Sequence, residues 1–449
     1  MMRTLDHYEK RARAFGEQLA DMEALKSLID GESQQYPTHI QHLFYHFSYV
    51  DIGNGVVGHC LYLAEMDQRF PGEGYDGIAH HLLQQVINSH TLPHIDDPGL
   101  WSGLAGICFT IAALSKNGTR YTSVLHQLHQ KLHVLTSDKL VEAEEHLAVQ
   151  QVKMPDYDLM GGLAGTALYL IEASVQDARL RSLSQQVLDY LCRLAMGTKD
   201  VNGVQVPAWH IAAENQFLEE EKVMYPEGNV NLGISHGITG VLCALLRAKR
   251  IEIYHSQLLH DAVRTLSDWL VSRHERSANG QLCWEKRPPF ASFAQDNKRQ
   301  VAANVSWCYG DPMIAKTLWD AGDVLKDKGL QDFALDCFKS LQPTFHQPGL
   351  IAPTYCHGIA GTLHVVDAMY KKTADTYFAD ISEQLQKMLN DDYEENTVFG
   401  FRDVEEMNQA RFTFQKPGLL TGAAGIYLTL LSVNEPSTCT GWERLFAVD

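Results

Sequence analysis

A short glycine signal, followed each time by an apolar stretch, occurs seven times along this chain. In six copies a second glycine stands three positions after the first; the fifth copy has Met313 there. The first glycines of the copies are Gly55, Gly103, Gly162, Gly237, Gly310, Gly358 and Gly422. The shortest interval between copies leaves room for two helices and their loops. A recurring signal of this kind indicates a repeat architecture in which each copy is one supersecondary unit.

The stretches after the signals, such as 426–431, are apolar nearly all round, which is typical of helices buried on every side. Between them lie amphipathic stretches, such as 121–138. Four leucines of that stretch recur at helical spacing: Leu125, Leu128, Leu132 and Leu135. This alternation predicts an all-α fold, a seven-fold α/α toroid with seven inner and seven outer helices. An open solenoid is the alternative, but its end helices would be exposed without capping repeats.

Residues 198–232 interrupt the helical pattern. Within them, 204–210 has the character of an extended segment, and an acidic run, Glu219–Glu221, follows. We predict a small β-rich insertion here, as an inserted subdomain or lid, with a long surface loop as the alternative. The whole chain, 1–449, is predicted to be a single domain that carries this insertion.

Bulk properties exclude several classes of protein. A formal net charge of −18 argues against a nucleic-acid partner, because phosphate binding requires a basic surface. No apolar run approaches the roughly 20 residues of a membrane span. The first residues lack the apolar core of a signal peptide, which predicts a cytoplasmic location, with peripheral attachment at the inner membrane face as a variant. Nine cysteines are too sparse for a disulfide scaffold, so metal ligation or thiol chemistry is open to them.

Alignment of the copies on their first glycine places polar side chains together. Two positions before it, the fifth and sixth copies carry Cys308 and Cys356; one position before it, the fourth and sixth carry His236 and His357. If all inner helices begin at the same end, these residues cluster on one side of the ring. Cys308, Cys356 and His357 form the Cys₂His set of a catalytic zinc whose fourth position stays open. The alternative is two packing cysteines and a helix-capping histidine.

Other cysteines and histidines are predicted to be structural. Three histidines of the amphipathic stretch are expected on a solvated face: His126, His129 and His133. Three cysteines inside apolar stretches are expected to pack in the core: Cys60, Cys108 and Cys243.

The segments 306–311 (SWCYGD) and 355–361 (YCHGIAG), with the seven glycine signals, resemble the lanthionine synthetase C-like family, to which the bacterial lantibiotic cyclases belong. The resemblance runs from about residue 45 to the C-terminus. It implies an α/α toroid with one zinc ion held by Cys308, Cys356 and His357, plus water or a substrate thiolate. The implied activity is zinc-dependent addition of peptide cysteine thiols to dehydroalanine or dehydrobutyrine, which forms thioether rings.

The resemblance also implies roles for three other residues. His236 occupies the acid/base histidine position of the family, Asp158 the active-site aspartate position, and Tyr309 the tyrosine position after the first zinc cysteine. A packing or helix-capping histidine and an N-capping carboxylate would look the same in a sequence. One position departs from the family: many bacterial cyclases carry arginine where this chain has Asn304, which offers a neutral dipole instead of a fixed charge.

The implied partners are a dehydrated precursor peptide, a separate dehydratase and an exporter complex, with no nucleic acid. Two other functions are compatible with the same motifs. One is the addition of glutathione or another free thiol to dehydrated residues. The other is a non-catalytic, zinc-containing scaffold that binds a peptide or glutathione.

Overall fold

The structure is a computed structural model that describes residues 2–38, 40–41, 48–89, 92–251, 254–294, 300–346, 350–407, 410–433 and 435–449. These residues are mostly helical, with three short β-hairpins among them. They divide into two compact units, which are described separately. The first unit consists of Met1–Asp96, Trp101–Gln127 and Pro348–Asp449, and the second of Asp97–Leu100 and Leu128–Gln347.

A helix begins directly after the first glycine of every signal. We number these repeat helices 1 to 7: Val56–Arg69, Leu104–Leu114, Leu163–Ala173, Ile238–Arg250, Asp311–Leu325, Ile359–Thr373 and Ala423–Ser432. In the first unit, repeat helices 6, 7, 1 and 2 pack side by side in that order, and in the second unit repeat helices 3, 4 and 5 do so. Most of their residues are buried, as the apolar stretches predict.

Amphipathic helices flank the repeat helices. They are Met2–Gln18, Met22–Ser33, Tyr75–Asn88, Thr122–Ala148, Ala178–Met196, Gln257–Ser272, Lys328–Ser340 and Thr376–Asp391. Five of them begin with a side-chain cap, from Asp21, Asp177, Ser256, Asp327 and Asp375. Such caps satisfy backbone N–H groups at a helix start. The repeat helices use glycine at that position and have no side-chain cap from it.

The amphipathic stretch predicted at 121–138 forms a longer helix, Thr122–Ala148. His126 and His133 are exposed on it, as predicted. The prediction of a solvated face is wrong for His129, which is buried. Its Nε2 lies 2.6 Å from the Tyr169 hydroxyl of repeat helix 3, and this polar partner compensates the loss of water.

Lack of space explains the paired glycines. Gly162 has an extended backbone, which any residue adopts, so conformational freedom is not the reason for glycine there. A Cβ atom on Gly162 would lie 2.2 Å from the backbone nitrogen of Asp158, and one on Gly165 would lie 2.0 Å from the carbonyl oxygen of Leu159. The loop therefore folds back against the first turn of its own helix, and only glycine leaves room for it.

We expect Gly165→Ala to lower the free energy of unfolding by about 2 kcal/mol, because the added methyl group meets backbone that cannot rotate away. The matched control is Gly77→Ala in the helix Tyr75–Asn88, where a Cβ meets nothing within 4 Å. Alanine there is expected to stabilise by about 0.5–1 kcal/mol. Urea unfolding of both variants measures the difference. Equal stability of the two variants would contradict the close approach.

The three hairpins are antiparallel and two-stranded. Their strands are β1 Thr198–Val201, β2 Val204–Pro207, β3 Glu275–Arg276, β4 Leu282–Cys283, β5 Asp403–Met407 and β6 Ala410–Phe414. The β1–β2 hairpin bears out the predicted β-rich start of the insertion. Asn202 and Gly203, both at positive φ, form its turn. The acidic run lies in a short helix, Glu219–Met224. The single-domain and lid assignments remain predictions.

Among the described residues, no helix combines the length and the apolar character that a membrane span requires.

Candidate active site

In the second unit, backbone hydrogen bonds join the loops that precede successive repeat helices. The Leu159 N–H donates to the Ser235 carbonyl over 3.1 Å, and the Ile234 N–H donates to the Cys308 carbonyl over 3.0 Å. Both donors stand three positions before their signal glycine, and both acceptors stand two positions before the next one. The alignment of copies on the first glycine therefore describes a real structural register.

The first unit has similar bonds between its loops, although two of the donors, Leu420 and Cys356, stand two positions before their signal glycine instead of three. The Ile52 N–H donates to the Trp101 carbonyl over 3.0 Å, and the Leu420 N–H donates to the Gly53 carbonyl over 2.8 Å. The Cys356 N–H donates to the Leu420 carbonyl over 2.9 Å. Within each unit, the repeat helices accordingly begin at a common end, where the polar residues before the signals are gathered.

Asp158 and His236 form a close polar pair at the loops of the second unit. His236 Nδ1 lies 2.6 Å from Asp158 Oδ2; the histidine side chain is 38% exposed and the aspartate 5%. The other oxygen, Asp158 Oδ1, accepts the N–H groups of Gly161 and Gly162 over 2.9 and 2.6 Å. One oxygen of Asp158 therefore stabilises the turn before repeat helix 3 and the other contacts the histidine, so the carboxylate has a structural contact and a contact with His236 at the same time.

The segment with Cys308 and Tyr309 lies beside the loop of the fourth copy. The Tyr309 hydroxyl accepts a hydrogen bond from Asn231 Nδ2 over 3.0 Å, and its ring packs so closely on Gly233 that a Cβ there would lie 2.6 Å away. Burial raises the pKa of Tyr309. The phenol therefore stays protonated at neutral pH, and its O–H is available as a donor. Cys308 is half-buried.

Asn304 shapes the Cys308 loop. Its Oδ1 accepts hydrogen bonds from the backbone N–H and the hydroxyl of Ser306, over 2.9 and 2.6 Å. Its own N–H donates to Asp311 Oδ2 over 2.7 Å, and Asp311 Oδ1 accepts the Trp284 N–H over 2.9 Å. Burial raises the pKa of Asp311 to about 7. The asparagine side chain thus stabilises a turn, a task for which an acceptor oxygen is needed and which a guanidinium cannot perform.

A guanidinium is nevertheless present near Tyr309. The backbone of 286–288 pairs with that of 230–232 through bonds from Val230 and Leu232, so Arg287 lies directly opposite Asn231. Its positive charge opposes the effect of burial on the pKa of Tyr309. It forms an ion pair with Glu221 of the insertion. No local sequence pattern signals this arrangement, because the two paired segments are distant in sequence.

In the first unit, Cys356 and His357 directly precede repeat helix 6 and are half-buried. His357 Nε2 lies 3.6 Å from Asp403 Oδ1 and 3.6 Å from Glu405 Oε1, both on strand β5. Burial raises the pKa of Glu405, and the neighbouring His357 opposes that shift. These three side chains lie close enough together to hold a cation. The carboxylates were not predicted; alternation of polar and apolar residues along 411–414 is the only local signal of their hairpin.

The cysteines within and before the repeat helices differ in exposure. Cys60, Cys108 and Cys243 are buried, which confirms that they pack in the core. Burial raises the pKa of Cys60. Cys308 and Cys356, which stand before signals, keep part of their surface exposed. Exposure of a thiol is a requirement for ligation or chemistry.

Sequence-predicted site residues thus occur in both units. Asp158, His236, Cys308 and Tyr309 belong to joined loops of the second unit, and Cys356 and His357 belong to the first. The side chains of Asp158 and His236 contact each other directly. The structure adds four residues to those predicted from the sequence: Asn231, Arg287, Asp403 and Glu405.

These features define a helical repeat protein with thiol, imidazole and carboxylate groups at the start of its repeat helices. Residues 47–447 match the model of the lanthionine synthetase C-like proteins, and the chain belongs to this family. It is 25% identical over 402 residues to the nisin biosynthesis protein NisC of Lactococcus lactis subsp. lactis, covering 89% of this chain and 88% of that protein.

The chain is also similar to the solved structure of a nisin cyclase, with a TM-score of 0.74 at 21% sequence identity. The match covers 95% of this chain and 98% of the other. This likeness and the helical content confirm the predicted fold class, an α/α toroid with small β insertions.

Proposed function

We propose that this protein is a zinc-dependent cyclase that adds cysteine thiols of a dehydrated ribosomal precursor peptide to dehydroalanine and dehydrobutyrine. The products are lanthionine and methyllanthionine thioether rings. The observation that carries the proposal is the Asp158–His236 pair, 2.6 Å apart, whose loop is joined to that of Cys308 and Tyr309. Membership of the lanthionine synthetase C-like family supports the reaction class.

The proposed zinc ligands are Cys308, Cys356 and His357, a set that combines the two motifs. Two features of the structure fit this role. Both cysteines are half-buried rather than enclosed, and His357 directs Nε2 toward carboxylates, so that Nδ1 remains for a metal. A bound zinc ion with an open position supplies activation of the substrate thiol as thiolate at neutral pH.

His236 is proposed to carry the proton. With its Nδ1–H donated to Asp158, the ring presents Nε2 as a base toward the incoming thiol. The S–H bond breaks, the sulfur bonds to the β-carbon of the dehydro residue, and the proton is delivered from the imidazolium to the α-carbon. The reaction has no leaving group, so the mass of the peptide does not change. Asp158 orients the ring, which is a usual task of such a buried carboxylate.

Tyr309 is proposed to stabilise the enolate that forms before this protonation. Because Asn231 donates to its oxygen, the Tyr309 O–H proton is left to point at the substrate carbonyl. A positioned donor at a developing negative charge is among the strongest catalytic contributions. Arg287, which lies opposite Asn231, adds positive charge on this side of the pocket, and its charge lowers the pKa of Tyr309 against the effect of burial.

The proposed substrate requires a supplying reaction. Dehydro residues arise by removal of water from serine and threonine, so a separate dehydratase must act first on the same peptide. We propose the cytoplasm as the location, with contact to an exporter complex at the inner membrane face.

The decisive experiment combines the purified protein, zinc and a dehydrated precursor peptide, followed by thiol alkylation and mass measurement. Loss of alkylatable thiols without change of mass is the expected result. A gain of one glutathione mass when glutathione is present would favour the free-thiol alternative. If the protein binds zinc but neither the number of alkylatable thiols nor the mass changes, a non-catalytic scaffold is favoured.

Asp158→Asn is expected to slow ring formation by about 10- to 100-fold. The asparagine oxygen can still cap Gly161 and Gly162, whereas the charge opposite His236 is lost. The matched control is Asp51→Asn at the equivalent turn of the first copy, where Asp51 accepts the Asn54 N–H. Rates and melting temperatures are compared for both variants. If Asp158→Asn retains the full rate, the aspartate acts only as a cap.

A further inference from the structure

We propose that Asp403 and Glu405 are positioning residues that hold the His357 imidazole in the tautomer protonated on Nε2. The Nδ1 lone pair is thereby directed to the metal. This inference rests on the proposed function, since it assigns the support of one proposed zinc ligand. It gives a role to Asp403 and Glu405 and names Nδ1 as the ring atom of His357 that binds the metal. The family motifs specify neither.

The surroundings of the ring nitrogen carry the argument. His357 Nε2 is buried and has no hydrogen-bond partner among the described residues. The acidic oxygens facing it are Asp403 Oδ1 and Glu405 Oε1, each 3.6 Å away. Two carboxylates repel a lone pair on Nε2 and attract an N–H there, so the proton is placed on Nε2. The other ring nitrogen, Nδ1, is then the only one able to act as a ligand.

Asp403 is already committed to other partners, which argues against a metal held by the carboxylates themselves. Its Oδ1 accepts the Thr354 hydroxyl over 2.8 Å, and its Oδ2 accepts Lys416 Nζ over 2.6 Å. The side chains of Asp403 and Lys416 are 0% and 4% exposed. A cation at this point would have to compete with a buried ammonium group, and the carboxylate is better described as an anchor for the imidazole.

The hydrogen bonds of Asp403 with Thr354 and Lys416 also connect the β5–β6 hairpin to the loops that precede repeat helices 6 and 7. Thr354 stands two positions before Cys356, and the Lys416 carbonyl accepts the N–H of Ala423, the first residue of repeat helix 7. The hairpin is therefore held in part by the loop that carries two of the proposed ligands, Cys356 and His357. A carboxylate fixed in this way orients a metal-binding histidine and increases its basicity.

Glu405→Gln is expected to weaken zinc binding by about 10- to 100-fold, measured by competition with a chromogenic chelator. The matched control is Glu406→Gln on the same strand, because Glu406 is exposed and paired with Arg411 at the surface. Its zinc affinity is expected to equal that of the wild type. Asp403→Asn serves as a second variant, with folding monitored because it leaves Lys416 buried without its closest anionic partner.

A readout without metal separates this inference from the proposed function. In metal-free, ¹⁵N-histidine-labelled protein, the His357 resonances are assigned by their loss in His357→Gln. The wild type is expected to show the Nε2–H tautomer, and Glu405→Gln a shift toward the Nδ1–H form. Equal zinc affinity and equal tautomer in Glu405→Gln and Glu406→Gln would overturn the positioning role. A wild type that binds no zinc but keeps the Nε2–H tautomer would overturn the zinc site and leave the carboxylate–histidine arrangement standing.

Discussion

Cys308→Ala is expected to abolish zinc binding and ring formation together. The substitution removes one of three proposed protein ligands and leaves a methyl group that cannot bind a metal. Structural zinc sites bind the ion with free energies of about 10–16 kcal/mol. If the three ligands contribute equally, loss of one ligand costs about 3 kcal/mol or more. This corresponds to a loss of about 100-fold or more in zinc affinity. Zinc content after dialysis and the alkylation assay measure the two effects.

The matched control for this variant is Cys439→Ala. Cys439 is an exposed thiol, and it does not precede a glycine signal. Its substitution is expected to leave both zinc content and rate unchanged. Full zinc content in Cys308→Ala would show that Cys308 is not a ligand, whatever happens to the rate.

His236→Asn is expected to lower the rate of ring formation by about 10²- to 10⁴-fold while zinc content stays the same. Asparagine can still form a hydrogen bond with Asp158, but it cannot take up and release a proton near neutral pH. The rate is measured by thiol alkylation over time, and the zinc content is measured on the same preparation.

His133→Asn is the control for this second variant, because His133 is an exposed histidine on the flanking helix Thr122–Ala148. It is expected to retain the wild-type rate. Simultaneous loss of zinc in His236→Asn would reassign His236 as a ligand, and an unchanged rate would exclude it as the proton carrier.

The repeat could be predicted residue by residue. Every repeat helix begins immediately after the predicted glycine, as at Gly162 and Gly237. The reason is local: the loop folds back on the first turn of its own helix, and the steric conflict at Gly165 arises within six residues. The fifth copy tolerates Met313 at the second position, where the side chain is buried.

Only part of the candidate site could be predicted in this way. His236 was identified by its place before a signal, and Asp158 by the family resemblance alone. A sequence does not distinguish an N-capping carboxylate from an active-site aspartate, since both roles use the same side chain. In the structure Asp158 Oδ1 accepts N–H groups of the turn before repeat helix 3, and Oδ2 lies 2.6 Å from His236 Nδ1. The error at His129 has a similar origin, because the tyrosine that accommodates it lies on another helix.

The sequence by itself determined the class of fold, the helix starts and the residues that stand before each signal, because glycine spacing and apolar periodicity act over a few residues. Only the tertiary structure decided which groups meet. His236 reaches Asp158 across 78 positions of chain. Arg287 lies opposite Asn231, and His357 faces Asp403 and Glu405, through pairings that are also remote along the chain. Such contacts depend on how packed helices bring distant loops together, and no local pattern encodes them.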